Sequence, residues 1–177
     1  MGRAVTLGVM PPLRMAAIGL LLVLVTLNLG SFTLSLDLVG WLMVVGGLHA
    51  LVGLGKWFVW ARNLAAAAVV LELVLWISPV QLINVLAATF SRVTALAFVF
   101  CVCTALLLRL GKSERAYAIT LQVVRVVVPL VTLIAAASAV LELPAGLAGP
   151  LYPIQLVGTV VLAVVLWMLS SRYSYSN

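Results

Sequence analysis

The chain has 177 residues, of which 66% are hydrophobic and 8% are charged, and its mean hydropathy is +1.32. A soluble globular domain carries about 25% charged residues, so this composition excludes that class and predicts an integral membrane protein. Ten Lys and Arg outnumber four Asp and Glu, but the basic residues are scattered between apolar runs. This scatter excludes the basic stripe of a nucleic-acid-binding protein and favours a role in membrane orientation.

Apolar runs follow one another along the whole chain, and a membrane-spanning helix needs about 20 residues. The runs lie at about 15–34, 38–55, 64–78, 93–109, 117–141 and 151–170. We therefore predict an all-α integral membrane protein with about six transmembrane helices, in a single domain over 1–177. The first run has no small-x-small cleavage site, so we predict an uncleaved helix and not a signal peptide.

The segment between the third and fourth runs, 79–92, reads PVQLINVLAATFSR and is too apolar for a free loop. Added to the fourth run, it makes a helix of about 30 residues, longer than one perpendicular crossing requires. Two interpretations remain open. The segment forms a helix on the outer membrane surface, or the fourth helix is long and tilted.

The charges predict the orientation, because six crossings place both termini on one side of the membrane. That side carries eight basic residues: Arg3, Arg14, Lys56, Arg62, Arg109, Lys112, Arg115 and Arg172. The opposite side carries Arg92, Asp37 and Glu142. Lys and Arg concentrate in cytoplasmic loops, so both termini are predicted to be cytoplasmic, in a bacterial-type cell membrane.

Three short segments resemble one another: SLDLVG at 35–40, PVQLIN at 79–84 and PIQLVG at 153–158. Each follows a predicted outer turn and begins with Ser or Pro, residues that suit the start of a helix. Two interpretations are open. The chain contains three related helical hairpins, or helices rich in Ala, Val and Leu match one another by chance.

Glu72 is a carboxylate within an apolar run, where a charge costs roughly 2.5 to 3.5 kcal/mol on insertion scales and usually finds a partner. Counted from the start of the third run near Asn63, Glu72 lies about 13 Å deep, and Arg125 of the fifth run reaches the same depth. We therefore predict an ion pair between Glu72 and Arg125. It either fixes the helix register or forms a functional polar site.

Three further residues extend this predicted intramembrane polar site. Pro129 removes a backbone hydrogen bond to the carbonyl of Arg125 and predicts a helix kink there. His49 and Gln122 fall about one helical turn nearer the cytoplasmic boundary by the same rise per residue. The four polar residues together predict a small polar column in the membrane.

The sequence contains few residues that could bind a cofactor or a metal ion. His49 is the only histidine, which excludes two-histidine haem ligation within the chain and leaves a metal site without further suitable ligands. Cys101 and Cys103 stand two apart on a helix, point to different sides, and are predicted to be small core residues. No catalytic or phosphate-binding motif occurs, so we expect no cofactor, no metal and no enzymatic activity.

Glycines are concentrated in the second run, GWLMVVGGLHALVGLG. Gly46 and Ala50 form a small-x-x-x-small pair, which lets another helix approach closely. The neighbour is a helix of this chain or of a partner subunit.

Two functions follow as expectations. The first is a non-catalytic, multi-pass accessory or scaffold subunit of a larger membrane complex, with a membrane-protein partner or a second copy of itself. The alternative is a small oligomeric carrier or channel that moves protons or a small polar solute by means of the Glu72 and Arg125 pair.

Overall fold

The computed structural model describes residues 11–29, 32–111, 114–140 and 151–173. Six α-helices occupy most of them: α1 (Pro12–Val23), α2 (Asp37–His49), α3 (Lys56–Ile77), α4 (Gln81–Leu107), α5 (Arg115–Val140) and α6 (Leu151–Tyr173). A short 3-10 helix, Val52–Leu54, connects α2 to α3. The strands β1 (Thr26–Leu29) and β2 (Phe32–Ser35) pair antiparallel between α1 and α2.

Three helices are long and apolar enough to cross a membrane: α3, α4 and α5 over Arg115–Ile134. α1, α2 and the stretch Leu156–Ser170 of α6 are equally apolar but shorter. The predicted helical fold is thus confirmed, and the protein is membrane-embedded. The hairpin β1–β2 is the one departure from an all-helical fold among the described residues.

The first predicted span was wrong beyond Val23, where the helix gives way to the β-hairpin. The reason is visible in TLNLGSFTLS, in which polar and apolar residues alternate with the two-residue period of a strand. Gly30 and Ser31, between the strands in sequence, are residue types favoured in two-residue hairpin loops. A hydropathy average over the run hides this alternation.

The segment 79–92 belongs to α4, which runs unbroken through Gln81–Leu107. Of the two interpretations, the structure has the long fourth helix. At 1.5 Å per residue its 27 residues extend over about 40 Å. The first half of α4 is exposed along much of its length, whereas the residues of Phe98–Leu106 are buried except Phe100, which is 38% exposed.

Each helix packs against its neighbours in the chain, and α6 packs against α1, which closes a ring of six helices. Arg14 of α1 lies over the ring of Trp167 in α6, with 5.3 Å between the guanidinium carbon and the ring centroid. All six helices contribute to one hydrophobic core. Trp41 of α2 meets Phe98 of α4 edge-on across the ring, with centroids 5.2 Å apart, so side chains fill the interior.

α1 and α2 pack at backbone distance through glycines. A Cβ built on Gly40 would lie 2.6 Å from the carbonyl oxygen of Gly19, and one on Gly47 would lie 2.5 Å from that of Pro12. Of the predicted packing pair, Gly46 lies against α1, where a Cβ built on it would meet Met15 Cε at 2.7 Å, but both Gly46 and Ala50 are exposed. The contact at backbone distance runs through Gly40 and Gly47, two helical turns apart on the buried face.

The orientation prediction uses Arg3, Lys112 and Glu142, and these three residues lie outside the described ranges. The repeated segments coincide with helix starts in two cases, since α2 begins at Asp37 and α4 at Gln81, the third residue of each repeat. The third repeat differs, because α6 begins at Leu151, two residues before its repeat starts.

Candidate functional site

Glu72 is half-buried in α3, and its carboxylate accepts a hydrogen bond from Ser91 of α4. The Ser91 Oγ lies 3.1 Å from Glu72 Oε1. Hydrogen bonds between helices in a membrane contribute on average about 0.6 kcal/mol, so this contact orients the side chain more than it stabilises the fold. Within the described part of the chain, Ser91 is the hydrogen-bond partner of Glu72, and no cation pairs with it.

Asp37, the first residue of α2, lies near enough to Glu72 for the two carboxylates to interact electrostatically. Glu72 therefore stands level with the start of α2, at the end of the bundle where β2 gives way to α2. This end is opposite to the one where α3 begins. The carboxylate thus belongs to a polar layer with Asp37 and Ser91.

Arg125 has a different partner. Its guanidinium carbon lies 4.5 Å from the ring centroid of Phe100, and Phe100 meets Trp57 nearly edge-on with centroids 6.3 Å apart. A cation over an aromatic face is stabilised by about 2 kcal/mol where water is excluded. The stack of Arg125, Phe100 and Trp57 connects α5, α4 and α3.

The predicted ion pair between Glu72 and Arg125 is not formed, because the two residues lie at different depths. Glu72 is level with Ser91 and Arg125 with Phe100, and these two residues of α4 are nine positions, or about 14 Å, apart. The sequence estimate counted α3 from Asn63, whereas the helix begins at Lys56. That shift of seven residues places Glu72 about 10 Å farther along the bundle than expected.

The predicted polar column is not assembled in the interior. His49 is exposed and is the last residue of α2, at the end of the bundle where α3 begins. Gln122 is exposed on α5, while its neighbour Leu121 is fully buried. Pro129 lies inside α5, which continues to Val140, and the predicted kink there stays a prediction.

Both cysteines occupy the core, as predicted, and neither forms a disulfide. The described residues contain no group of three or more His, Cys, Asp or Glu that would hold a metal ion. The described part of the chain includes two surface clefts away from the predicted site residues. One lies between the start of α3 and the end of α4, the other between α5 and α6, and neither is lined by Glu72, Arg125, His49 or Gln122.

The sequence analysis did not identify Ser91, which contacts the carboxylate of Glu72, or Phe100, which contacts the guanidinium of Arg125. Ser91 lies in the segment 79–92, for which the sequence permits two structures, so the sequence does not define the helical face of Ser91. On a helix, nine residues turn the chain by about 900°, which places Ser91 and Phe100 on opposite sides of α4.

Comparison of the sequence with protein-family models and with curated proteins, and of the structure with solved structures, gave no significant match.

Proposed function

We propose that the chain is a non-catalytic membrane protein of six spans that works by contact, as an accessory or scaffold subunit of a larger assembly in a cell membrane. One observation carries the proposal: Glu72, Trp76 and Ser91 form a half-polar surface on spanning helices, here called the Glu72 surface. Charged groups in membrane helices usually face protein or water and not lipid. Here side chains fill the interior of the ring, so the Glu72 surface is available to a partner outside the ring.

The geometry of the Glu72 surface suits a protein partner. Trp76 lies one helical turn beyond Glu72 on the same face of α3 and is 57% exposed. Its large ring beside a hydrogen-bonded carboxylate combines an apolar anchor with a polar contact, as binding surfaces commonly do. The partner is another membrane protein or a second copy of this chain.

The test is native mass spectrometry of the chain extracted with its surrounding lipid by a styrene–maleic acid polymer, at native expression level. We expect a mass above the 18.8 kDa of one chain by at least one protein subunit. Glu72→Leu should release that subunit, because leucine removes the polar contact and leaves the partner's group unsatisfied.

Thr89→Val is the matched control, since Thr89 is exposed on α4 but its hydroxyl already bonds the Val85 carbonyl at 2.8 Å. This variant should keep the subunit. A single-chain mass in native lipid would contradict the proposal. So would a subunit lost equally from both variants, or retained by Glu72→Leu.

We propose the orientation with both termini in the cytoplasm, supported by the basic end of the bundle, where α2 and α4 end and α3 and α5 begin. In a variant with Cys101 and Cys103 replaced by Ala, Pro79→Cys should react with a membrane-impermeant maleimide in intact cells. Lys56→Cys should react only after permeabilisation, because the positive-inside rule places it in the cytoplasm. The reverse labelling pattern would invert the orientation.

Transport of protons or of a small polar solute is the second candidate function. It is favoured by Glu72 alone, a carboxyl that contacts a hydroxyl and can release or take up a proton. The filled interior speaks against a path through one chain. The test is proton flux in vesicles that contain the purified protein. A flux that Glu72→Gln abolishes would favour transport over the subunit proposal. A flux equal to that of protein-free vesicles would support the subunit proposal.

A further inference from the structure

The cleft between the start of α3 and the end of α4, here called the basic cleft, combines two cations with apolar walls. Its lining includes Leu54, Gly55, Lys56, Trp57, Leu108 and Arg109. The guanidinium of Arg109 reaches from beyond the end of α4 to the start of α3, because its Nη2 would lie 3.8 Å from a Cβ built on Gly55. Lys56 follows directly in the chain, so both cations border the same cleft.

Within the described ranges, Lys56 and Arg109 make no ion pair with a carboxylate, and both are exposed. Their charges are therefore available to an anion. Gly55 precedes α3 with a φ of 155°, which residues with a side chain rarely adopt, so the backbone turn beside the two cations favours glycine.

The rest of the cleft is apolar and partly exposed. Leu108, after the end of α4, is 68% exposed, and Leu54, before the start of α3, is 44% exposed. Trp57 is held by its edge contact with Phe100, which also carries the guanidinium of Arg125. A ligand that satisfies both parts of the cleft must place an anionic group between the cations and an apolar chain against the leucines.

We infer that the basic cleft binds the phosphodiester headgroup of an anionic phospholipid, with an acyl chain along Leu54 and Leu108. A phospholipid has both required parts in the required order. Tryptophan favours the headgroup level of a bilayer, and basic pockets between membrane helices attract anionic headgroups. Lys56 supplies a compact charge, and Arg109 supplies paired donors that match two phosphate oxygens.

The test is a titration of purified protein in detergent with dioctanoyl phosphatidylglycerol, with bound lipid counted by native mass spectrometry. Dioctanoyl phosphatidylcholine is the neutral comparison. The double variant Lys56→Gln/Arg109→Gln should bind phosphatidylglycerol at least about tenfold more weakly, because each basic residue contributes to attraction of an anionic lipid. The double variant Arg92→Gln/Arg115→Gln removes the same charge elsewhere and should bind within about twofold of the unchanged protein.

Three results would overturn the inference. Equal losses in the two double variants would indicate diffuse attraction to net charge. Phosphatidylcholine bound as tightly as phosphatidylglycerol would show that the anionic group is not recognised. Inorganic phosphate displacing the lipid at equal concentration would assign the cleft to a free anion. The single variants at positions 56 and 109 give the same comparison with smaller losses if the double variant does not fold.

Discussion

Gly40→Leu is expected to destabilise the protein by about 3 kcal/mol or more, the upper range for an overpacked site. A Cβ at this position would lie 2.6 Å from the carbonyl oxygen of Gly19 and 2.8 Å from the backbone nitrogen of Val23. Backbone atoms cannot rotate away as the end of a flexible side chain can. The leucine therefore forces α1 and α2 apart, and their separation opens the ring where these two backbones meet.

The measurement is thermal unfolding in detergent, followed by size-exclusion chromatography of the heated sample. Gly53→Leu is the matched control, because no heavy atom lies within 4 Å of a Cβ built there. Its stability should change by no more than about 0.5 kcal/mol, as for most surface substitutions. If Gly53→Leu lowers the Tm as much as Gly40→Leu, close backbone packing of α1 on α2 is not what stabilises this part of the ring.

Phe98→Ala is expected to have a comparable effect, about 3 to 5 kcal/mol, from lost contacts and the cavity left behind. Phe98 is 1% exposed at the centre of the ring and meets Trp41 edge-on. Because lipid is as apolar as the core, the loss arises mainly from packing and not from exposure to water.

Phe90→Ala on the same helix is the control for this substitution. Phe90 is 59% exposed, so its ring contacts surrounding lipid or detergent, which refills the space left by the shorter side chain. The Tm of Phe90→Ala should stay near that of the unchanged protein. A drop in Tm as large as that of Phe98→Ala would indicate that Phe90 is covered by a partner or that the ring interior is looser than its contacts suggest.

Because side chains fill the interior of the ring, binding sites are to be sought on its outer surfaces. A ring of six helices has a central axis, but Trp41, Phe98 and the leucines of α5 and α6 occupy it. Two clusters of polar groups lie toward the two ends of the bundle. Glu72, Ser91 and Asp37 mark one end, and Lys56 with Arg109 marks the other. A partner at the Glu72 surface and a lipid at the basic cleft use separate residues and can be tested independently.

Composition and local pattern determined the membrane class and the existence of α3, α4, α5 and α6, because long apolar runs have few other stable forms in a bilayer. They also contained the signal for the β1–β2 hairpin, in the alternation of TLNLGSFTLS. A mean hydropathy does not distinguish a period of two from a period of 3.6, so it predicts one helix over the whole run. The burial of Cys101 and Cys103 followed from residue type alone.

Only the tertiary structure decided which side chains meet. The depth of a residue along a helix depends on where the helix begins. Because α3 begins seven residues earlier than the sequence predicts, Glu72 lies beside Ser91 and not beside Arg125. The face of α2 that packs was likewise undetermined, since Gly40, Gly46, Gly47 and Ala50 all permit close approach. The choice of Gly40 and Gly47 came from Gly19 and Ala16 on α1, whose backbone lies against them. Contacts between helices depend on the register and rotation of both partners, and a single helix's sequence specifies neither for its neighbour.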